Sequence, residues 1–428
     1  MFGTDGIRGR AYRDVTPDTA ARIGAAVVSV FGCERVVLGH DPRPSAGDLI
    51  DGLLRGLRGA EVDLLGVAPT PAVAFCSAAD GVPGIVVSAS HNPYHDNGVK
   101  IFGPGGRKLS DGEQEAVASA LRSPAAPRGA AAVAVDASAR LDAYLQGVAA
   151  SVRPGALEGM RLVVDGANGA ASAPAPTLLR RLGASVRTVA CAPNGRNIND
   201  GCGAASPGLI AGETRRGEVG LAFDGDGDRV VAYDRRLIDG DCIIALCGID
   251  RHERGRLAGS TVVVTVMSNI GLHRAMASAG IAVVTTPVGD RHVLSALEDG
   301  GWELGGEQSG HVVFRDLATT GDGLLTAVQL LDVAARRGER LGDLAAGAMT
   351  RHPQVLRNVA VGRGAAEVLA AVQPAVEKVR AGLGDRGRVL VRPSGTEPLI
   401  RVMVEAPSEA EAASAAESLA AEVTKRAG

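Results

Sequence analysis

Aromatic residues are scarce: they make up 3% of the chain, with a single tryptophan. That scarcity excludes a platform on which nucleic-acid bases stack. It also leaves any sugar ligand to be held by hydrogen bonds and charge. An excess of one charge sign is missing too, since a formal net charge of −3 over 428 residues gives no reason to expect binding to nucleic acid or anionic lipid. The six cysteines, at 33, 76, 191, 202, 242 and 247, include no Cys-x-x-Cys pair, so neither a zinc site nor a redox motif is expected. Scattered thiols in a chain of this size read as reduced core residues. No run of about 18 uninterrupted apolar residues occurs, so no membrane span is expected. The opening Met1-Phe2-Gly3-Thr4-Asp5 reaches polar loop chemistry at once, unlike a signal peptide. The expected location is the cytoplasm.

What is present is a globular composition, 46% hydrophobic and 22% charged, long enough for two to four domains. One local pattern appears three times: a β-branched run that ends in Gly, Asp or Asn. These runs are Val36 to Asp41, Leu162 to Asn168 and Val262 to Asn269. Apolar strands between Ala/Leu-rich stretches are the mark of sheets buried on both faces, with ligands at the strand-to-helix loops. Helical periodicity falls at 17–30, 44–58, 111–122, 270–279 and 322–336. Residues 123–137, aperiodic and with two prolines, read as a surface connection, and 138–150 as a helix closing the first unit. Turns near Asp239-Gly240-Asp241 and His352-Pro353 suggest further boundaries. The expected domains are 1–150, 151–236, 237–352 and 353–428, three α/β units and a C-terminal α+β unit. In the last, 389–392 and 399–405 read as strands and 407–426 as a helix.

Five segments carry chemistry. Asp224, Asp226 and Asp228 alternate with glycines after the apolar run Val219 to Phe223. Hard oxygen ligands at that spacing suit magnesium. A calcium EF-hand loop is excluded, because Arg229 stands where it needs Gly and Arg235 where it needs Glu. Ser90, in Ser88-Ala89-Ser90-His91-Asn92-Pro93, puts a hydroxyl on a turn after an apolar run, and the segment leads on to Lys100. Strand alternation would turn His91 away from Ser90. A phosphoserine adds a charge of about −1.5 to −2, which a nearby divalent ion would offset. The N-terminal loop Gly3 to Gly9 presents Arg8, a guanidinium suited to phosphate. Glu307, Ser309 and His311 lie at alternate positions, on one side of the segment if it is extended, as partners for vicinal sugar hydroxyls. Arg392-Pro393-Ser394-Gly395-Thr396-Glu397-Pro398 with Arg401 reads as a hairpin tip forming an anion nest.

Taken in this order, these segments resemble the α-D-phosphohexomutase superfamily over essentially the whole chain. Tyr94 and Asp96 in the serine segment, Asn197-Ile198-Asn199 before Cys202-Gly203, Met267-Ser268-Asn269, Val288-Gly289-Asp290-Arg291, Gly306 to His311 and Thr396 to Glu405 point to its glucosamine-phosphate branch. The resemblance implies three related α/β domains with mixed or parallel sheets and a C-terminal α+β domain, around a central cleft. It implies that Ser90 is a phosphoserine, with Asp224, Asp226, Asp228 and a Ser90 phosphate oxygen around one Mg2+ per subunit. Arg8, Lys100, Arg229 and His311 would surround the transferring group. Glu307 and Ser309 would hold ring hydroxyls, and Arg392, Ser394, Gly395, Thr396 and Arg401 the phosphate that does not react. The implied reaction interconverts glucosamine 6-phosphate and glucosamine 1-phosphate through glucosamine 1,6-bisphosphate, which also serves as primer, toward UDP-N-acetylglucosamine. Partners would be small sugar phosphates, with no nucleic acid or membrane, in a monomer or homodimer. Either Lys100 or His311 could be the base. Gly39-His40-Asp41-Pro42-Arg43-Pro44-Ser45 and Arg392-Pro393-Ser394 look more like relatives that act on mannose and glucose phosphates, which leaves those substrates open. A magnesium phosphatase would share the aspartates but use an aspartate nucleophile. A non-catalytic sensor would keep the Arg392 loop and lose Ser90 or an aspartate.

Overall fold

The computed structural model describes residues 6–122, 129–362, 364–394 and 398–427. They form two compact units, one of residues up to 267 with 280–348 and one of 268–279 with 349–428.

The larger unit holds three sheets built on one plan. In the first, Arg35–His40 pairs in parallel with Glu61–Val67 and Gly84–Val87, and Gly84–Val87 then pairs antiparallel with Asp96–Gly103. In the second, Arg161–Asp165 pairs in parallel with Ser185–Val189 and Val219–Phe223, which pairs antiparallel with Val230–Tyr233. In the third, Thr261–Thr265 pairs in parallel with Ala282–Thr286 and Leu304–Gly306, which pairs antiparallel with Val312–Phe314. Each sheet therefore ends its parallel part on a strand that turns back on itself. The three turns are residues 88–95, 224–229 and 307–311. The serine, the aspartate trio and the Glu307 segment thus occupy equivalent places in three related sheets.

Local chemistry explains the helices. Pro17–Phe31 starts with Pro at its first position and Thr16 Oγ1 accepting from Thr19 N at 3.1 Å, and it stops at left-handed Gly32. Gly323–Arg337 is capped by Asp322, which accepts from Leu325 N at 3.0 Å, and it ends at left-handed Gly338. Ile23, Leu49, Leu53, Leu57, Val36, Leu38 and Ile85 pack into one fully buried core on the first sheet.

The smaller unit is α+β. Leu399–Glu405 pairs antiparallel with both Gln354–Ala360 and Arg388–Pro393, and helices Ala365–Leu383 and Glu409–Ala427 bury Val368, Val372, Val376, Ala416 and Leu419 against that sheet. Three elements depart from the expected pattern. Val133–Asp136, inside the presumed connection, is an edge strand paired with Glu61–Val67. Its side chains are all exposed, so it carries no burial signal. Gln354–Ala360 alternates only weakly, and Ala365–Leu383 contains Pro374, which reads as a break.

Candidate active site

The serine turn leaves the end of Gly84–Val87, and Ser90 takes a backbone φ of 50°, in the left-handed region. Ser88 Oγ accepts from Ser90 N at 2.9 Å, bending the chain. This conformation corrects the alternation argument: His91 does not face away, and its Nδ1 lies 3.4 Å from Ser90 Oγ. Burial, then the charges of Arg229 and Arg8, lower the His91 pKa to about 4. His91 is a neutral, feeble base.

Ser90 Oγ donates to Asp224 Oδ2 at 2.5 Å, across 134 positions of sequence. Asp224, Asp226 and Asp228 are buried, and each offers an oxygen within 4.8 Å of the others. Lys100, on Asp96–Gly103, donates from Nζ to Asp226 Oδ2 at 2.6 Å and to Asp228 Oδ2 at 3.0 Å. Arg229 donates its backbone N–H to Asp224 Oδ1 at 3.2 Å and holds Nε 3.7 Å from Asp228 Oδ1. His311 places Nδ1 3.7 Å from Asp228 Oδ1 and Nε2 3.8 Å from Asp290 Oδ2. Arg8 lies on the strand opposite Gly98, two residues from Lys100.

Burial, then the charges of Asp228 and Asp226, push Asp224 well above the ordinary carboxylate range. Burial acts the same way on Asp226 and Asp228, but there Lys100 prevails and both are lowered, Asp228 with help from His311 and Arg229. Burial would lower His311, yet Asp228 and Asp290 raise it. Three carboxylates beside two fixed cations leave room for added positive charge. Asp226 Oδ1 and Asp228 Oδ1 are buried without a hydrogen-bond partner, a strong signal for an absent ligand. Hard oxygens at this spacing fit a small divalent ion. A metal ion would replace the proton that the raised Asp224 otherwise keeps.

The Glu307 segment is a tight turn, not the extended run its alternation suggested. Gly306 and Gly310 take positive φ, Glu307 N donates to His311 O at 2.9 Å and Gly310 N to Glu307 O at 3.0 Å. Glu307 Oε1 accepts from Gly289 N at 3.1 Å, and Ser309 is exposed in the same turn. In the smaller unit Arg392 sits directly opposite Arg401 on the hairpin, and Ser394 N donates to Leu399 O at 2.9 Å. Burial and then the charge of Arg401 lower the Arg392 pKa. Gly395 and Thr396 lie outside the described residues, as do residues 1–5 of the Arg8 loop.

Several residues at this site were missed in the motif reading. Thr70 Oγ1 donates to Asp226 Oδ2 at 2.6 Å and Thr70 N to Asp226 O at 2.8 Å, an interaction with no trace in a Thr-Pro helix start. Lys108 Nζ pairs with Asp290 Oδ2 at 2.8 Å behind His311. Arg43 and Asn199, within Gly39–Ser45 and Asn197–Asn199, carry no local sequence signal of their contacts with the serine turn.

Models of the phosphoglucomutase/phosphomannomutase family match the chain in order: alpha/beta/alpha domain I at residues 1–127, domain II at 142–240, domain III at 239–352 and the C-terminal domain at 356–422. The chain belongs to this family and carries all four of its domains, which makes it an isomerase working by phosphoryl transfer. Among relatives, the phosphoglucosamine mutase of Frankia alni is 48% identical, covering 99% of this chain and 98% of its own. That of Mycolicibacterium paratuberculosis is 47% identical, covering 96% and 95%. A phosphoglucomutase/phosphomannomutase family protein of Burkholderia thailandensis superimposes with a TM-score of 0.81 at 26% identity, over 99% of this chain and 96% of that one. Aspergillus fumigatus N-acetylphosphoglucosamine mutase, solved with GlcNAc-6P and magnesium, shares the fold at TM-score 0.71 and 18% identity, over 100% and 96%. Among the described residues, no helix is long and apolar enough to cross a membrane.

Proposed function

We propose that the chain interconverts glucosamine 6-phosphate and glucosamine 1-phosphate, with Ser90 as the phosphoryl carrier. The observation that carries this reading is Ser90 Oγ at 2.5 Å from Asp224 within the buried carboxylate trio. Asp224, Asp226 and Asp228, with a phosphate oxygen on Ser90, would hold one magnesium ion per chain. When bound, that ion neutralises charge on the phosphoryl oxygens.

In the forward half, the sugar hydroxyl attacks phosphorus, the bond from phosphorus to Ser90 Oγ breaks, and the hydroxyl proton passes to a base. Lys100, in contact with Asp226 and Asp228, and His311, beside Asp228 and Asp290, are the two candidates for that base. Arg8 and Arg229 add positive charge around the moving group. The resulting glucosamine 1,6-bisphosphate, also the primer, turns end for end and returns its other phosphate to Ser90. Glu307 and Ser309 are assigned to ring hydroxyls, and Arg392, Ser394, Gly395, Thr396 and Arg401 to the phosphate that does not react. Positioning does most of the catalytic work. The product feeds UDP-N-acetylglucosamine supply in the cytoplasm, where six free thiols are at home. The reading requires no partner beyond sugar phosphates and suits a monomer or homodimer.

The test is a parallel assay on glucosamine, glucose and mannose 6-phosphates with bisphosphate primer and magnesium. Glucosamine 6-phosphate should turn over fastest, and Ser90→Ala should lower its rate by about three orders of magnitude or more without loss of fold. A Ser90→Ala enzyme of undiminished rate would end the proposal. Faster turnover of a glucose or mannose substrate would reassign the specificity.

A further inference from the structure

Two segments without a task in this chemistry, Gly39–Ser45 and Asn197–Asn199, both close on the backbone of the serine turn. Arg43 is 2% exposed, and each of its five N–H groups is used. Nε donates to Asp41 Oδ2 at 2.9 Å, Nη2 to Ser90 O at 2.9 Å and Asn92 O at 2.8 Å, and Nη1 to Asp96 O at 3.1 Å and to Pro93 O. Asp41, fully buried, also accepts from Ser88 Oγ at 2.5 Å, the same hydroxyl that receives Ser90 N. From the second sheet's side, Asn199 Nδ2 donates to Ser90 O at 2.9 Å and Asn92 O at 3.0 Å. Two carbonyl oxygens therefore take one donor each from two distant parts of the chain. The metal turn closes on the same point, since a Cβ on Gly225 would lie 2.4 Å from Ser90 O and 2.7 Å from Asn199 Nδ2.

We propose that Arg43 and Asn199 form a two-sided clamp on the carbonyl oxygens of Ser90 and Asn92, keeping the Ser90 hydroxyl aimed at Asp224 whether or not it carries phosphate. Both are positioning residues, and their task in the reaction rests on Ser90 being the phosphoryl carrier. The need for a clamp is physical. A left-handed serine is held only where its surroundings over-determine it, and phosphate adds about −1.5 to −2 charge to that turn. The Arg43 charge is neutralised by Asp41, so the clamp holds the turn without competing for the phosphate or the cation. Lysine, with three donors and no planar fork, would not reproduce it.

The test compares wild type with Asn199→Gly and Arg43→Lys. Asn199 has a φ of 57°, so glycine keeps its backbone and removes only the amide. Amide hydrogen exchange across residues 88–97 is followed by mass spectrometry. In parallel, the rate at which Ser90 takes phosphate from a sugar 1,6-bisphosphate is read by peptide mapping. Asn199→Gly should speed exchange in the turn about tenfold or more and slow Ser90 loading about 10- to 100-fold, with KM for the sugar phosphate little changed. Arg43→Lys should do the same more strongly, and Asn199→Gly decides alone if that variant fails to fold. Unchanged exchange in Asn199→Gly, or loading as fast as in a wild type that does load, overturns the clamp. A wild type that takes no phosphate on Ser90 overturns the carrier assignment instead, and the exchange result still decides the clamp.

Discussion

Asp224 differs from its two neighbours: it receives the Ser90 hydroxyl while Lys100 contacts Asp226 and Asp228. Burial pushes its pKa well up, so without a metal it favours the protonated form that asparagine mimics in shape. Asp224→Asn should therefore leave the metal-free melting temperature nearly unchanged while abolishing the added stability from magnesium. In wild type that gain should approach about 2.7 kcal/mol at a hundredfold excess over Kd, as calorimetric melting with and without the ion would show. Magnesium affinity should weaken as pH falls, because protons compete for the same oxygens. At this scale the sequence is legible where donors are close in the chain, as at 224, 226 and 228. It is silent where a contact spans great separation. Thr70 meets Asp226 and Asn199 meets Ser90 across more than a hundred positions, and no local pattern records such meetings.

The turn from a parallel strand into an antiparallel one is the recurring element, and its supports lie beneath it. Asp322 caps the helix Gly323–Arg337, and Gly323 N donates to Gly227 O of the metal turn at 3.1 Å. Asp322 also accepts from Tyr144 Oη at 2.9 Å, and burial raises its pKa from 3.8 to about 6. Between those values the folded chain keeps a proton that the unfolded chain has lost. The stabilising contribution is complete below 3.8 and is lost as pH rises through about 6. That span amounts to at most about 3 kcal/mol. Asp322→Asn keeps the cap and should flatten this fall, so urea midpoints at about pH 4 and about pH 7 should lie closer together than in wild type. Elements with β-branched runs, such as Thr261–Thr265, are plain in the sequence because burial on both faces demands them. Val133–Asp136 is not, since an exposed edge strand satisfies only its backbone. Glu307 to His311 misleads for another reason: glycines at 306 and 310 fold an alternating run into a turn.

Across the whole molecule, chain order and compact units do not coincide. Residues 268–279 leave the third sheet's connection to join the C-terminal unit, where Glu405 Oε2 accepts from Ile270 N at 3.0 Å and Arg388 donates to Ser268 O at 2.6 Å. Asn269, fully buried, caps the helix Ile270–Ser278 through Gly271 N at 3.0 Å and joins His352 through N–H and C=O bonds at 3.0 and 2.9 Å. Asn269→Ala should cost about 2–4 kcal/mol, confined to this unit. Hydrogen exchange should quicken in 399–405 and stay unchanged in 219–223. Repetition of three α/β units was legible from repeated strand endings, whereas this exchange of a helix was not, because periodicity reports a buried face without saying against what. The left-handed turn at Ser90 bears on how the whole enzyme becomes active. The serine is 1% exposed and its carbonyl is bonded to both Arg43 and Asn199. A protein kinase draws its target out as a free strand, and this stretch has no slack to give. On the proposed carrier role of Ser90, a phosphoryl donor has to reach a hydroxyl held in a fixed, buried turn, which suits a small diffusible molecule.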